Sequence, residues 1–145
     1  MAIEIKDLAF NEIDAVYSLT KKVFNESYDL AKIKELYNKI SSDTKTYRFL
    51  VAKDGDKVVG YTSCSMSYNL FDGDQPFMTI WWVCTEPEYR RQGIATMLLN
   101  KAEDIAKENN CGMICLLSED FREDAHKFYI KNGYKMNSKG FMKIL

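Results

Sequence analysis

A single histidine, no C-x-x-C pair and no long apolar run set the first limits on this 145-residue chain. A zinc site draws on clustered Cys and His. His126 stands alone, and Cys64, Cys84, Cys111 and Cys115 lack ligand spacing, so no metal is expected. Three of those cysteines lie in apolar runs and read as buried free thiols in a reducing compartment. No stretch reaches the roughly 20 apolar residues of a membrane span. Met1-Ala2-Ile3-Glu4 lacks the pattern of a signal peptide, so the expectation is a cytoplasmic chain with no membrane partner. A net charge of -1 gives no general attraction to nucleic acid. With no linker, internal repeat or low-complexity segment, residues 1–145 read as one domain.

Apolar residues make up 46% and charged residues 28%, the balance of a globular protein with a real core. Ala2 to Lys6 alternates as a first strand. Asn11 is placed to cap a helix with Ile13, Val16, Tyr17, Thr20, Val23 and Phe24 on one face. Leu30, Ile33, Leu36, Tyr37 and Ile40 mark a second helix. Between the two, Glu26, Tyr28 and Asp29 read as a solvated connection or as the lining of a substrate pocket. Tyr47–Lys53 and Lys57–Tyr68 are strands joined at Asp54-Gly55-Asp56, a hairpin signal. Asp72-Gly73-Asp74 lacks the remaining calcium-ligand spacing and reads as a turn.

Thr79 to Leu99 is the centre of the chain. A run of β-formers (Ile80, Trp81, Trp82, Val83) leads through Pro87 to Arg90-Arg91-Gln92-Gly93-Ile94-Ala95. Strand alternation puts the two tryptophans on opposite sides of the sheet; one could border a substrate site, and large core residues are the default. A helix follows with Ile94, Met97, Leu98, Ala102, Ile105 and Ala106 on one face, ended by Asn109-Asn110-Cys111-Gly112. Met113–Leu117 reads as a buried strand, parallel to the tryptophan strand across the helical crossover. Ser118 and Asp120 are candidate caps for a helix carrying Ala125, Phe128 and Tyr129, with Gly133 as its stop. Tyr134–Met136 and Phe141–Leu145 complete a last hairpin. The element order β, α, α, β, β, β, α, β, α, β, β is a mixed α/β sheet with helices on both faces.

The basic turn has a chemistry of its own. Gly93 permits backbone angles and a close approach that a Cβ blocks. The first N–H groups of the helix have no intrahelical partner and point outward, ready for a phosphate. Arg90 and Arg91 add local positive charge. The spacing excludes a P-loop, and one glycine is too few for a dinucleotide fingerprint. Anion binding and a structural helix start both fit the turn alone.

Val83 to Leu99 resembles motif A of the GNAT superfamily of N-acetyltransferases. That motif has Gln or Arg, two residues, Gly, one residue, and Gly or Ala. Arg90, Gly93 and Ala95 fill those positions. Ala125 to Tyr134 resembles a second motif of the family, in the right order and at a family-like separation. Where many members carry Asn three residues before its alanine, this chain has Arg122. The resemblance implies the acyl-CoA N-acyltransferase fold and acetyl-CoA as cosubstrate. Backbone groups of Val83, Cys84 and Thr85 would then hold the pantetheine arm, as an added strand does. Arg90, Arg91, Gln92, Gly93, Ile94, Ala95 and Thr96 would hold the pyrophosphate. Tyr129 would stand near the cofactor sulfur as donor to the departing thiolate.

The acceptor implied is a small-molecule amine, with a protein lysine or N-terminus as the alternative. No general base is identified: Glu86, Glu88, Glu119 and Asp120 are each as readily a cap or a surface charge. His126 reads as a solvent-facing helix residue. Cys84 has no paired histidine, so direct transfer is expected rather than an acyl-cysteine route. A homodimer follows only from family habit. A non-catalytic CoA-binding module and an α/β interaction protein with a structural glycine turn are the rival readings.

Overall fold

A computed structural model describes residues 2–145. The chain forms two compact units, Met1–Cys115 and Leu116–Leu145. Its elements are β1 (Ile3–Asp7), α1 (Ile13–Phe24), α2 (Leu30–Ile40), β2 (Tyr47–Asp54), β3 (Lys57–Ser67), β4 (Phe77–Thr85), α3 (Ile94–Glu108), β5 (Ile114–Leu116) and α4 (Glu123–Lys131). One five-stranded sheet runs β1-β2-β3-β4-β5. β1 to β4 form an antiparallel meander. Beside β4, the Gly112 N–H donates to the Pro76 carbonyl and the Met78 N–H to the Met113 carbonyl. Both contacts advance in the same sense along the chain, as the crossover through α3 requires of a parallel neighbour.

Helices cover both faces of the sheet. Val16 and Leu19 of α1 pack on Val51, Val58 and Cys84. α3 covers the face to which Ala52 belongs, opposite its neighbour Val51. A Cβ on Gly60 would meet Ala52 at 3.2 Å, Ile94 at 3.0 Å and Leu98 at 3.2 Å, so glycine lets α3 seat closely on β3. Ile94, Leu98 and Ile105 are almost completely buried, each contributing about 1.5–3 kcal/mol.

Asn11 does not cap α1. A short 3-10 turn, Phe10–Glu12, leads into the helix. Glu12 reaches back to accept the Ala9 N–H at 2.9 Å, while its other oxygen pairs with Lys53 at 2.7 Å. The longer acid side chain, one residue on, closes this 3-10 turn instead, and α1 itself carries no side-chain cap. Asp29 caps α2 by accepting the Lys32 N–H.

Three further expectations are corrected. β5 is shorter than Met113–Leu117 and only half-buried, with Met113 and Leu117 exposed. Neither Ser118 nor Asp120 caps α4: the helix begins only at Glu123, with Arg122 at the cap position. Residues 134–145 carry no strand, so the last hairpin is absent. Phe141, Ile144 and Leu145 are exposed, and a two-stranded hairpin that buries nothing is marginal in water. At the end of α4 the Tyr134 N–H does bond back to the Tyr129 carbonyl, closing the helix at Gly133 as expected.

Candidate active site

The end of β4 is irregular. Tyr61 of β3 pairs with Cys84 and Ser63 with Trp81, so Thr62 alone stands opposite Trp82 and Val83. This is a β-bulge, a device that re-aims a strand. Trp82 carries it at φ 62°, a left-handed angle that costs a bulky residue about 1–3 kcal/mol. The Thr62 side chain is buried, and its hydroxyl donates to the Trp81 carbonyl at 3.0 Å. Trp82 packs edge-on against Phe24 and Tyr28, with ring centroids 5.1 and 5.8 Å away. Trp81 is 43% exposed, so the expectation of two core tryptophans fails for it. Alternation along the strand predicts sides, not what covers them.

Cys84 is buried, and burial pushes its thiol up to about 12. The thiolate that covalent catalysis needs is therefore disfavoured at neutral pH. Cys64 is raised to about 12 by the same cause.

From Thr85 the chain is fixed at two points before it turns. Glu86 is buried and pairs with Lys22 of α1, and its N–H donates to the Val59 carbonyl at 2.8 Å. That pairing makes it a structural charge. A 3-10 turn over Pro87–Tyr89 follows, where the Tyr89 hydroxyl donates to Asp54 at 2.7 Å. The Lys57 ammonium lies 5.1 Å from the Tyr89 ring centroid. Asp54 and Lys57 flank the β2–β3 hairpin turn, so the hairpin tip braces the segment that leads to the arginines.

Arg90, Arg91, Gln92 and Gly93 are exposed. Arg91 and Gly93 have positive φ, 64° and 78°. The Gly93 carbonyl accepts the Met97 N–H at 2.9 Å, so the N–H groups of Ile94, Ala95 and Thr96 open the helix with no intrahelical acceptor. Helix dipole and arginines give the turn a local positive field. An ideal Cβ on Gly93 would meet nothing within 4 Å. The space above the turn is open, and a phosphate group fits these donors and this charge.

The connection between α1 and α2 is solvent-exposed, as expected, and two hydrogen bonds order it. The Tyr17 hydroxyl donates to the Tyr28 carbonyl at 2.9 Å, and the Tyr28 hydroxyl donates to Glu26 at 2.5 Å. The Glu26 carboxylate holds the Tyr28 phenol above its ordinary pKa.

In the second unit, Tyr129 lies on α4 with Phe128 and Tyr134, ring centroids 5.3 and 6.0 Å away. His126 is half-buried rather than solvent-facing, and its Nε2 lies 2.8 Å from the Glu119 carbonyl oxygen. This ties the ring to the segment that enters α4. Glu88, Glu119 and Asp120 are exposed. Among the described residues, no three His, Cys, Asp or Glu side chains gather as a metal site requires. Nor is any helix there long and apolar enough to cross a membrane. Thr62, Tyr89 and Gly60 escaped the sequence reading, since each acts through a partner distant in the chain.

Comparison with known proteins adds an independent line. Residues 13–134 match the family described as the acetyltransferase (GNAT) family. The aminoalkylphosphonate N-acetyltransferase of Salmonella typhimurium is 27% identical over 142 residues, 98% of this chain and 91% of that enzyme. The thialysine N-epsilon-acetyltransferase of Bos taurus is 30% identical over 95 residues, 60% of this chain and 55% of that one. Among solved structures, a transcriptional regulator from Bacillus halodurans C-125 shares the fold with a TM-score of 0.92. It is 23% identical, with 99% of this chain and 100% of that chain covered.

Proposed function

The chain belongs to the acetyltransferase (GNAT) family, and from that premise we propose that it transfers an acetyl group from acetyl-CoA directly to a small-molecule amine in the cytosol. The observation that carries this reading is the Arg90–Thr96 turn. Its left-handed Gly93 opens α3 under free space, beside two exposed arginines. Acetyl-CoA, when bound, supplies an acyl carbon activated as a thioester. The N–H groups of Ile94, Ala95 and Thr96, with Arg90, Arg91 and Gln92, hold its pyrophosphate. Backbone groups of Val83, Cys84 and Thr85 hold the pantetheine arm and offer an N–H to the carbonyl oxygen as it gains charge. The amine attacks the acyl carbon in its neutral form, the carbon–sulfur bond breaks, and the proton that the nitrogen loses passes through water to solvent. Tyr129 donates a proton or a hydrogen bond to the departing sulfur. The buried Cys84 thiol takes no covalent part.

The small-molecule acceptor is supported by the names of the relatives. The Salmonella typhimurium enzyme acts on aminoalkylphosphonates and the Bos taurus enzyme on thialysine. The test is acetyl-CoA consumption against a panel of aminoalkylphosphonates, amino acids, diamines and aminoglycosides, beside acetyl-CoA titration by calorimetry. Turnover of a small amine is expected. Binding without turnover on any amine would mark a non-catalytic CoA module, and no binding would mark a structural turn. Within the active protein, Tyr129→Phe is expected to lower kcat by about 10²-fold or more, with the KM for acetyl-CoA nearly unchanged. Full turnover by that variant would reduce Tyr129 to packing.

A further inference from the structure

The bulge in β4 needs something to hold it. Trp82 sits at φ 62°, an angle that a bulky side chain leaves unless its surroundings over-determine it. An extra residue also interrupts the ladder there, and Thr62, opposite it, places a buried hydroxyl against the Trp81 carbonyl. This threonine has no accessible surface and pairs on its other side with Leu50 of β2. Its Oγ1 lies 3.0 Å from the Trp81 oxygen, with the Ser63 hydroxyl at 3.5 Å as a weaker second donor. Register resumes at Tyr61 and Cys84. The direction in which Val83, Cys84 and Thr85 leave the bulge is therefore set where Thr62 grips Trp81.

We propose that the Thr62 hydroxyl is a latch on the β4 bulge that aims the backbone groups of Val83–Thr85 at the acyl carrier. It is a positioning residue: it touches neither substrate nor cosubstrate and acts through the Trp81 carbonyl. The inference rests on the acetyl-transfer reading, but its core claim concerns this chain alone. With the hydroxyl gone, the bulge loses its buried side-chain bond, and the strained Trp82 angle relaxes toward an ordinary strand. The amides that follow then turn away from where they are needed.

The test compares Thr62→Val, which keeps shape and β-branching but loses the hydroxyl, with Thr62→Ser, which keeps the hydroxyl and loses a methyl. For Val, the backbone amide resonances of Trp82–Thr85 are expected to shift. Its kcat falls about tenfold or more, while acetyl-CoA affinity, carried mostly by the phosphate cradle, changes less. Ser keeps both the resonances and kcat near those of the unaltered chain. Equal losses in Val and Ser, or a Val variant with normal kcat, would overturn the latch. Should the unaltered chain show no acetyl-CoA turnover, the functional reading fails instead. The resonances then decide the latch: moved in Val alone they support it, and unmoved in both they end it.

Discussion

Gly93 holds φ 78° at the mouth of α3 with open space where a Cβ would stand. Two causes favour glycine here, and substitutions separate them. Valine meets the backbone cost, since a β-branched residue is a genuine outlier in the left-handed region. Asparagine tolerates that region but fills the space above the turn. Gly93→Asn is therefore expected to melt within a few degrees of the unaltered chain yet bind acetyl-CoA at least about tenfold more weakly, and Gly93→Val to lose both stability and binding. Calorimetry with thermal melts reads both quantities; an Asn variant binding at full affinity would show that the open space is not used. The turn that carries Arg90 and Gly93 into α3 was legible because its signals are local. Thr62 was not: a threonine in a strand carries no mark saying which carbonyl its hydroxyl will meet.

At the scale of elements, the β4–α3 connection behaves as a braced arm. Glu86 anchors it to Val59 and Lys22, and Tyr89 anchors it to Asp54. The hydrogen bond to Asp54 leads in raising the Tyr89 phenol above its ordinary pKa, which keeps the hydroxyl a donor throughout the neutral range. If the brace sets the entry to the cradle, Tyr89→Phe and Asp54→Ala should each raise the KM for acetyl-CoA several-fold and leave kcat unchanged. The double variant should be no worse than either single one, because both remove one bond. Additive losses would mean that the two residues act separately. The hairpin itself was legible from Asp54-Gly55-Asp56. Its contact with Tyr89, 35 residues on, was not, since no periodicity links the two. The missing last hairpin shows the opposite error: alternation and a turn sufficed on paper, yet Phe141, Ile144 and Leu145 remain exposed.

For the molecule as a whole, the order of strands and helices up to α4 followed from hydrophobic period and turn residues. Those signals record which face of an element is buried. What they omit is charge paired across elements, and Glu12 is the case with a measurable consequence. Burial pushes its carboxyl up, but the Lys53 and Ala9 hydrogen bonds and the charges of Lys53 and Lys6 together outweigh it. The carboxyl therefore lies below its ordinary value. A carboxyl depressed in the folded state stabilises the fold above its unfolded pKa, and that share is lost as pH falls through the folded value. The loss should begin near pH 4.3, the ordinary glutamate value, and continue below it. Glu12→Gln should melt lower than the unaltered chain at pH 7. The gap should narrow as pH drops from about 5 toward 3, because the unaltered chain loses there what the variant never had. Melting temperatures of the two proteins across that range test it. A gap constant with pH would mean that Glu12 acts through packing, and that its pairing with Lys53 adds nothing to the joint between the start of α1 and β2.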